Sequence, residues 1–159
     1  MNRHRRGMLA AAAAFGLAPV LAAPAAPGEA VRWPEVTLLD GSRWSPATGR
    51  AQVVVFWSVS CPFCRRHNVH IDKLYRATAD AGPQVLTVCR DRDAAAVRRY
   101  LTAHGYTFPV SLDHDAVAAA LAARRMIPLT VLVDRHGRLK QAIPGEMFEE
   151  DVMELTRLA

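Results

Sequence analysis

The chain has 159 residues, 51% of them hydrophobic and 22% charged, too apolar for a disordered chain and too charged for a polytopic membrane protein. That length suits one domain, able to bury roughly two-thirds of its unfolded surface without needing a metal or disulfide. The formal net charge of +5 draws on Arg3, Arg5 and Arg6 at the very start, and beyond them no basic cluster exceeds a pair, so nothing marks a nucleic-acid partner.

Met1 to Arg6 is basic, Met8 to Ala23 is apolar and alanine-rich, and Val20-Leu21-Ala22 and Ala23-Pro24-Ala25 supply small-residue exits. This order predicts a secretory signal peptide over residues 1–25. Cleavage is expected after Ala22 or Ala25, since cutting after Ala23 or Ala26 would leave Pro24 or Pro27 first. Arg5-Arg6 followed by Gly7-Met8-Leu9 also resembles a twin-arginine signal, the kind that exports a folded protein. As an uncleaved anchor the run is short: it holds about sixteen residues with Pro19 near its end, against the roughly 20 of a spanning helix. The expected location is therefore the periplasm or the outside of the cell, with no stable membrane insertion after cleavage.

Residues 26–34 are rich in Pro and Ala and predict a flexible tether to a domain over 35–159. Glu35 to Leu39 has a short strand pattern ended by the turn pair Asp40-Gly41. Gln52 to Trp57 is a nearly continuous β-branched and aromatic run, as in a strand covered on both faces. Pro62 then stands where a first helical residue would, and Cys64, Ile71, Leu74 and Thr78 recur at helical spacing to Ala79, before Ala81-Gly82-Pro83. Gln84 to Cys89 predicts a second core strand, Ala94 to His104 a helix closed by Gly105, and Phe108 to Leu112 a short extended piece. Asp113 or Asp115 is placed to cap a helix running through Arg124. Leu129 to Val133 predicts a third core strand, which turns through Arg135-His136-Gly137-Arg138 into Leu139 to Ile143, and Phe148 to Leu158 a closing helix. Alternation of strands and helices up to residue 128, then two strands across a tight turn, implies an α/β domain with a central mixed sheet flanked by helices.

Outside the cytoplasm disulfides persist, and the three cysteines divide into Cys61 and Cys64, spaced Cys-x-x-Cys, and Cys89 alone. Cys61 lies between the carboxyl end of a buried strand and the start of a helix, the edge where ligands collect in open α/β sheets. Unpaired N–H groups of the first helical turn and the helix dipole favour a thiolate there. A shift from about 8.5 to about 7 would amount to roughly 2 kcal/mol of preference for the anion. Cys64, one turn further in and less exposed, can close an i,i+3 disulfide. The expectation is that Cys61 attacks a partner's disulfide and Cys64 resolves the mixed disulfide. A structural bridge over so small a loop would stabilise little. A zinc half-site lacks a second ligand pair, although His67 and His70 keep a soft-metal site such as copper open.

Trp57-Ser58-Val59-Ser60-Cys61-Pro62-Phe63-Cys64 resembles the thioredoxin-fold signature, and the longer pattern is similar to the TlpA/ResA-like thiol–disulfide oxidoreductases of the bacterial cell envelope. The further matches are Gln84-Val85-Leu86-Thr87-Val88, the stretch Gly105 to Asp113, and Ile127-Pro128-Leu129-Thr130-Val131-Leu132-Val133-Asp134-Arg135-His136-Gly137. The resemblance implies a thioredoxin fold with an inserted helical segment and no cofactor. Its implied partners are proteins with cysteines or disulfides and a membrane thiol-reductant donor, and the activity a reductant's, as in cytochrome c maturation. A copper or heme-pathway chaperone using the cysteines as ligands without turnover is the alternative.

It further implies that Pro128 is cis, exposing the Ile127 backbone beside the sulfurs. Trp57 is expected to pack beneath the site and Phe63 to form an apolar lip, both offering surface to a partner. Where thioredoxins carry a buried Asp, this chain has Val55. The proton acceptor for Cys64 is therefore unassigned. Asp91 and Asp93 are candidates, with solvated, helix-capping or arginine-paired roles the plainer expectation. His67 is a third, expected to be an exposed neighbour. Cys89 reads as a small buried hydrophobe, with a third redox cysteine the sharper reading.

Overall fold

The computed structural model describes residues 25–157, so the signal-peptide expectation lies outside the described residues save for Ala25. Among the described residues no helix is long and apolar enough to cross a membrane.

The elements in chain order are β1 (Val36–Thr37), β2 (Arg43–Trp44), β3 (Gln52–Trp57), α1 (Pro62–Ala77), β4 (Gln84–Cys89), α2 (Ala94–His104), β5 (Val110–Ser111), α3 (His114–Ala120), β6 (Leu129–Val133), β7 (Leu139–Pro144) and α4 (Glu149–Glu154), which runs into a 3₁₀ turn at Leu155–Arg157. Five strands form one sheet in the order β5-β4-β3-β6-β7. The pairs β3–β4 and β4–β5 are parallel; β3–β6 and β6–β7 are antiparallel. β3 is therefore central, and all six of its residues are buried. Val53, Val55 and Trp57 face one apolar layer with Cys64, Ile71 and Leu74 of α1, Val97 of α2 and Val152 of α4. Val54 and Phe56 face the other layer with Val117 of α3, Val36 and Trp44. Covering both faces is what its unbroken apolar run requires.

α1 buries Cys64, His67, Asn68, Ile71, Asp72 and Leu74 at helical spacing. It ends at Ala77, where the Thr78 N–H turns back to the Leu74 carbonyl. Asp93 caps α2 by accepting from the Ala96 N–H at 3.0 Å, and Gly105 closes that helix at φ 68°.

Several expectations need correction. Residues 26–34 are not a flexible tether. The Gly28 and Val31 N–H groups donate to Leu139 and Gly137 carbonyls, the Leu139 N–H donates to Glu29, and Ala25 is buried with its N–H on Ala120. Composition suggested flexibility, but the segment's backbone groups find distant partners, and Val31 and Trp33 pack on the second apolar layer. Of Glu35 to Leu39, only Val36–Thr37 pairs as a strand, with a short β2 as its partner. The helix expected through Arg124 stops at Ala120. The Ala123 N–H reaches the Ala118 carbonyl at 2.9 Å and the Ala122 N–H reaches Ala119 at 3.4 Å, with Ala122 at φ 49°. That is a Schellman termination with alanine where glycine usually stands, which an alanine run cannot announce. Asp113 sits at the cap position but makes no capping bond; its carboxylate accepts from the Thr37 N–H instead. The closing helix starts at Glu149 and ends in a 3₁₀ turn at Leu155–Arg157, and Leu158 lies outside the described residues.

Candidate active site

β3 delivers the chain to the sheet edge at Trp57, and Ser58–Ser60 turn it into α1. Cys61 is the N-cap of α1, and its Sγ accepts from the Cys64 N–H at 3.1 Å. One orphan donor of the first turn therefore points at the sulfur, and α1 has no acidic residue in that turn to oppose a thiolate. Pro62, at the start of the helix, has no N–H to leave unsatisfied. Cys61 and Cys64 are joined as a disulfide with Cα atoms 5.2 Å apart; Cys61 is half-buried and Cys64 has no exposure.

The loop before Cys61 is held from β4. Ser58 is buried, its carbonyl accepts from the Cys61 N–H at 3.3 Å, and the Val59 N–H donates to Asp91 Oδ2 at 2.9 Å. The Cys89 thiol donates to the same oxygen at 3.3 Å. Partial burial works to raise the Asp91 pKa, but the bonds from Val59, Ser58 and Cys89 together hold it below the ordinary carboxylate value. Burial pushes the Cys89 thiol up to about 12, so Cys89 stays protonated. Asp91 is thus a loop clamp and Asp93 a helix cap.

Trp57 lies opposite Cys89 in the β3–β4 register and has no exposed surface. Its ring packs on Tyr100 at 5.3 Å and Phe108 at 6.2 Å between centroids. It supports the site from beneath but offers no surface to a partner, contrary to that part of the sequence expectation. Phe63 is 55% exposed, with the Arg66 guanidinium 4.9 Å over its ring and Arg66 anchored to Glu146. The Ile127–Pro128 peptide bond is cis, and half-buried Ile127 packs against the layer that contains Cys64.

His67 is not an exposed neighbour: it has no exposure at all. Its Nδ1 accepts from the Met147 N–H at 3.2 Å, which leaves the hydrogen on Nε2 to be donated to Thr130 Oγ1 at 3.1 Å. Burial, helped by nearby His70, lowers its pKa to about 4. With both nitrogens engaged, the ring is a neutral strut joining α1, β6 and the segment after β7, not a free acceptor for the Cys64 proton. Sequence reasoning missed Thr130, which stands in register with Val55 on the neighbouring strand. The only signal was a lone hydroxyl within Leu-Thr-Val-Leu-Val. The other histidine considered as a soft-metal ligand, His70, lies 3.4 Å from Glu149 through its Nδ1. No group of three or more His, Cys, Asp or Glu side chains among the described residues is placed to hold a metal.

A mixed five-stranded sheet flanked by four helices, with a Cys-x-x-Cys at the start of the first helix, defines a thioredoxin-like protein. The chain belongs to the Redoxin family, whose model matches residues 27–157. It is 28% identical over 110 residues to the thiol–disulfide oxidoreductase ResA of Halalkalibacterium halodurans, covering 69% of this chain and 62% of that one. The match therefore spans less than two thirds of that curated relative. The crystal structure of StoA from Bacillus subtilis superposes with a TM-score of 0.68 at 25% identity, covering 84% of this chain and 99% of that one. A thiol:disulfide interchange protein of the thioredoxin family from Chlorobium tepidum gives a TM-score of 0.75 at 22% identity, over 86% and 99% of the two chains, and speaks for the fold.

Proposed function

We propose that the protein is a thiol–disulfide oxidoreductase that acts on protein partners outside the cytoplasm, as a reductant. The observation that carries this reading is the asymmetry of the pair: a half-exposed Cys61 Sγ that accepts a helix N–H, and a Cys64 with no exposure. In the reduced protein the Cys61 thiolate attacks a partner's disulfide, forming one S–S bond while the partner's other sulfur leaves as thiolate. Cys64, giving up its proton, then attacks the Cys61 sulfur. The Cys61–Cys64 bond re-forms and the partner leaves with two thiols, having gained two electrons, the Cys64 proton and one proton from solvent. A membrane dithiol donor, itself oxidised to a disulfide, restores the pair.

Pro62 frees the helix start, Trp57 braces the floor, and Pro128 with Ile127 walls the site without placing a backbone donor from residue 128 there. Phe63 supplies the apolar lip. The name of the ResA relative supports the chemistry, and a role in cytochrome c maturation is what the TlpA/ResA-like resemblance implies. The leading segment, read as a signal peptide cut after Ala22 or Ala25, supports the location. Replacing Cys64 with Ser should leave Cys61 able to attack but not to be released, so mixed disulfides with partners accumulate on non-reducing gels. Cys61→Ser should abolish them. Trapping through Cys64 instead would reverse the assignment.

A further inference from the structure

Basic residues that are scattered as pairs in the sequence lie on the segments next to Cys64, Trp57 and the cis Pro128. Arg65 follows Cys64 on α1, Arg90 leaves the end of β4, and Arg124 and Arg125 lead into Ile127–Pro128. The Arg90 N–H donates to the Trp57 carbonyl at 2.9 Å, and its guanidinium donates to the Arg125 carbonyl at 3.4 Å. The end of β4 and the segment before Pro128 therefore form one surface beside the Cys61 loop, bordering a cleft of about 640 Å³.

Arg66 and Arg92 are neutralised by Glu146 and Asp115. Arg65, Arg90, Arg124 and Arg125 are exposed and make no ion pair among the described residues. Asp91 is committed to Val59 and Cys89, and Asp113 to the Thr37 N–H. Acidic side chains gather elsewhere, as Glu149, Glu150, Asp151 and Glu154 of α4. The same segments carry two exposed apolar side chains, Phe63 at 55% and Met126 at 49%.

We propose that this rim docks an acidic polypeptide segment that carries the reacting cysteines, with apolar side chains of that segment on Phe63 and Met126. The inference rests on the exchange reading above and adds the class of substrate. Four guanidiniums without an ion pair among the described residues, carried on the segments that flank the reactive pair, draw carboxylates to that edge. Planar guanidiniums suit carboxylates by geometry as well as charge. The occupant must bring sulfur to Cys61, which makes it a polypeptide rather than a lipid.

The test uses three disulfide-bridged peptides identical except for flanks of four Glu, four Ser or four Lys, and three counterparts with Ser for both cysteines. Binding of the Ser counterparts to the oxidised protein is read by fluorescence anisotropy, and reduction of the bridged peptides by the reduced protein is followed by mass spectrometry. The acidic peptide should bind and react roughly tenfold better than the neutral one at low salt, with the basic one worst, and 0.3 M salt should erase most of the difference. Arg90→Glu with Arg125→Glu should bring the acidic-to-neutral ratio to about one or below. Arg65→Glu with Arg124→Glu, whose side chains make no bond to the fold among the described residues, should do the same if the first pair disturbs folding. Equal binding of all three flanks, or an acidic preference that survives both charge reversals, overturns the proposal. So does arginine-dependent binding to phosphatidylglycerol-containing vesicles without any preference among the peptides. Preferential acidic binding with no reduction of any bridged peptide would sink the exchange reading while leaving the docking surface in place.

Discussion

His67 makes folding stability depend on pH in a narrow and calculable window. Folded, its pKa is lowered from 6.5 to about 4, because the ring is buried and stands near His70. Between those two values the unfolded chain takes up a proton that the folded chain refuses, so acidification favours unfolding. The contribution is fully present above pH 6.5, declines as the pH falls, and is gone below about 4, where both states are protonated. A shift of this size corresponds to about 3 kcal/mol. Glutamine at this position keeps an amide oxygen for Met147 and an amide N–H for Thr130 without titrating. His67→Gln should cost about 1–2 kcal/mol at pH 7 through imperfect hydrogen-bond geometry. It should also flatten the decline in stability between pH 6.5 and 4 by roughly 3 kcal/mol relative to the parent protein. Urea unfolding of both proteins at pH 7, 5.5 and 4.5, analysed as free energies, measures the difference. Carboxylates whose folded pKa is lowered without help from His67, such as Glu149 and Asp134, lose their contribution mostly at lower pH and are common to both proteins. Parallel curves would refute the buried neutral strut.

Ala122 holds a left-handed conformation at φ 49°, which costs an alanine roughly 1–2 kcal/mol that glycine avoids, offset in part by the flexibility glycine adds to the unfolded chain. Ala122→Gly should therefore raise stability by about 1 kcal/mol and the melting temperature by about 3 °C. A lower melting temperature in that variant would contradict the Schellman ending of α3. Cys89, buried and with its pKa pushed up to about 12, should resist thiol reagents. In the reduced native protein at pH 7.5, iodoacetamide should label the half-exposed Cys61 rapidly, with Cys89 labelled only on unfolding; rapid labelling of Cys89 would show that its burial does not keep it out of exchange.

The strands that build the sheet were legible because their signal is local. Gln52–Trp57, Gln84–Cys89 and Leu129–Val133 are dense in β-branched residues and lie where expected, and the Cys-x-x-Cys between a strand and Pro62 announced the helix start. What escaped depends on partners distant in the chain. Residues 25–34 have a linker's composition, yet they dock because the turn at Gly137 and Leu139 supplies the backbone groups they need. His67, three residues after Cys64 and four before Ile71, shares the apolar face of α1 by spacing, but its polar side chain argues for exposure. Its burial is decided by Thr130 and Met147, more than 60 residues downstream, which satisfy both ring nitrogens.

Charge shows the same limit from the other direction. Sequence spacing sees pairs, Arg65-Arg66 and Arg124-Arg125, with Arg90 and Arg92 on either side of an acid, and pairs are what any solvated surface carries. Parallel pairing of β3 with β4 brings Arg90 beside the Trp57 carbonyl, and the segment before β6 carries Arg125 to the Arg90 guanidinium. A sheet edge therefore gathers charge that no window of the sequence contains, on the edge where the reactive sulfurs lie. The nearby carboxylates are spent elsewhere: Asp91 is turned inward to Val59 and Cys89, Asp113 accepts from the Thr37 N–H, and Asp115 pairs with Arg92. An acid spent on fixing the loop leaves the arginines uncompensated, so the bond that positions Cys61 also helps set the charge of the rim around it.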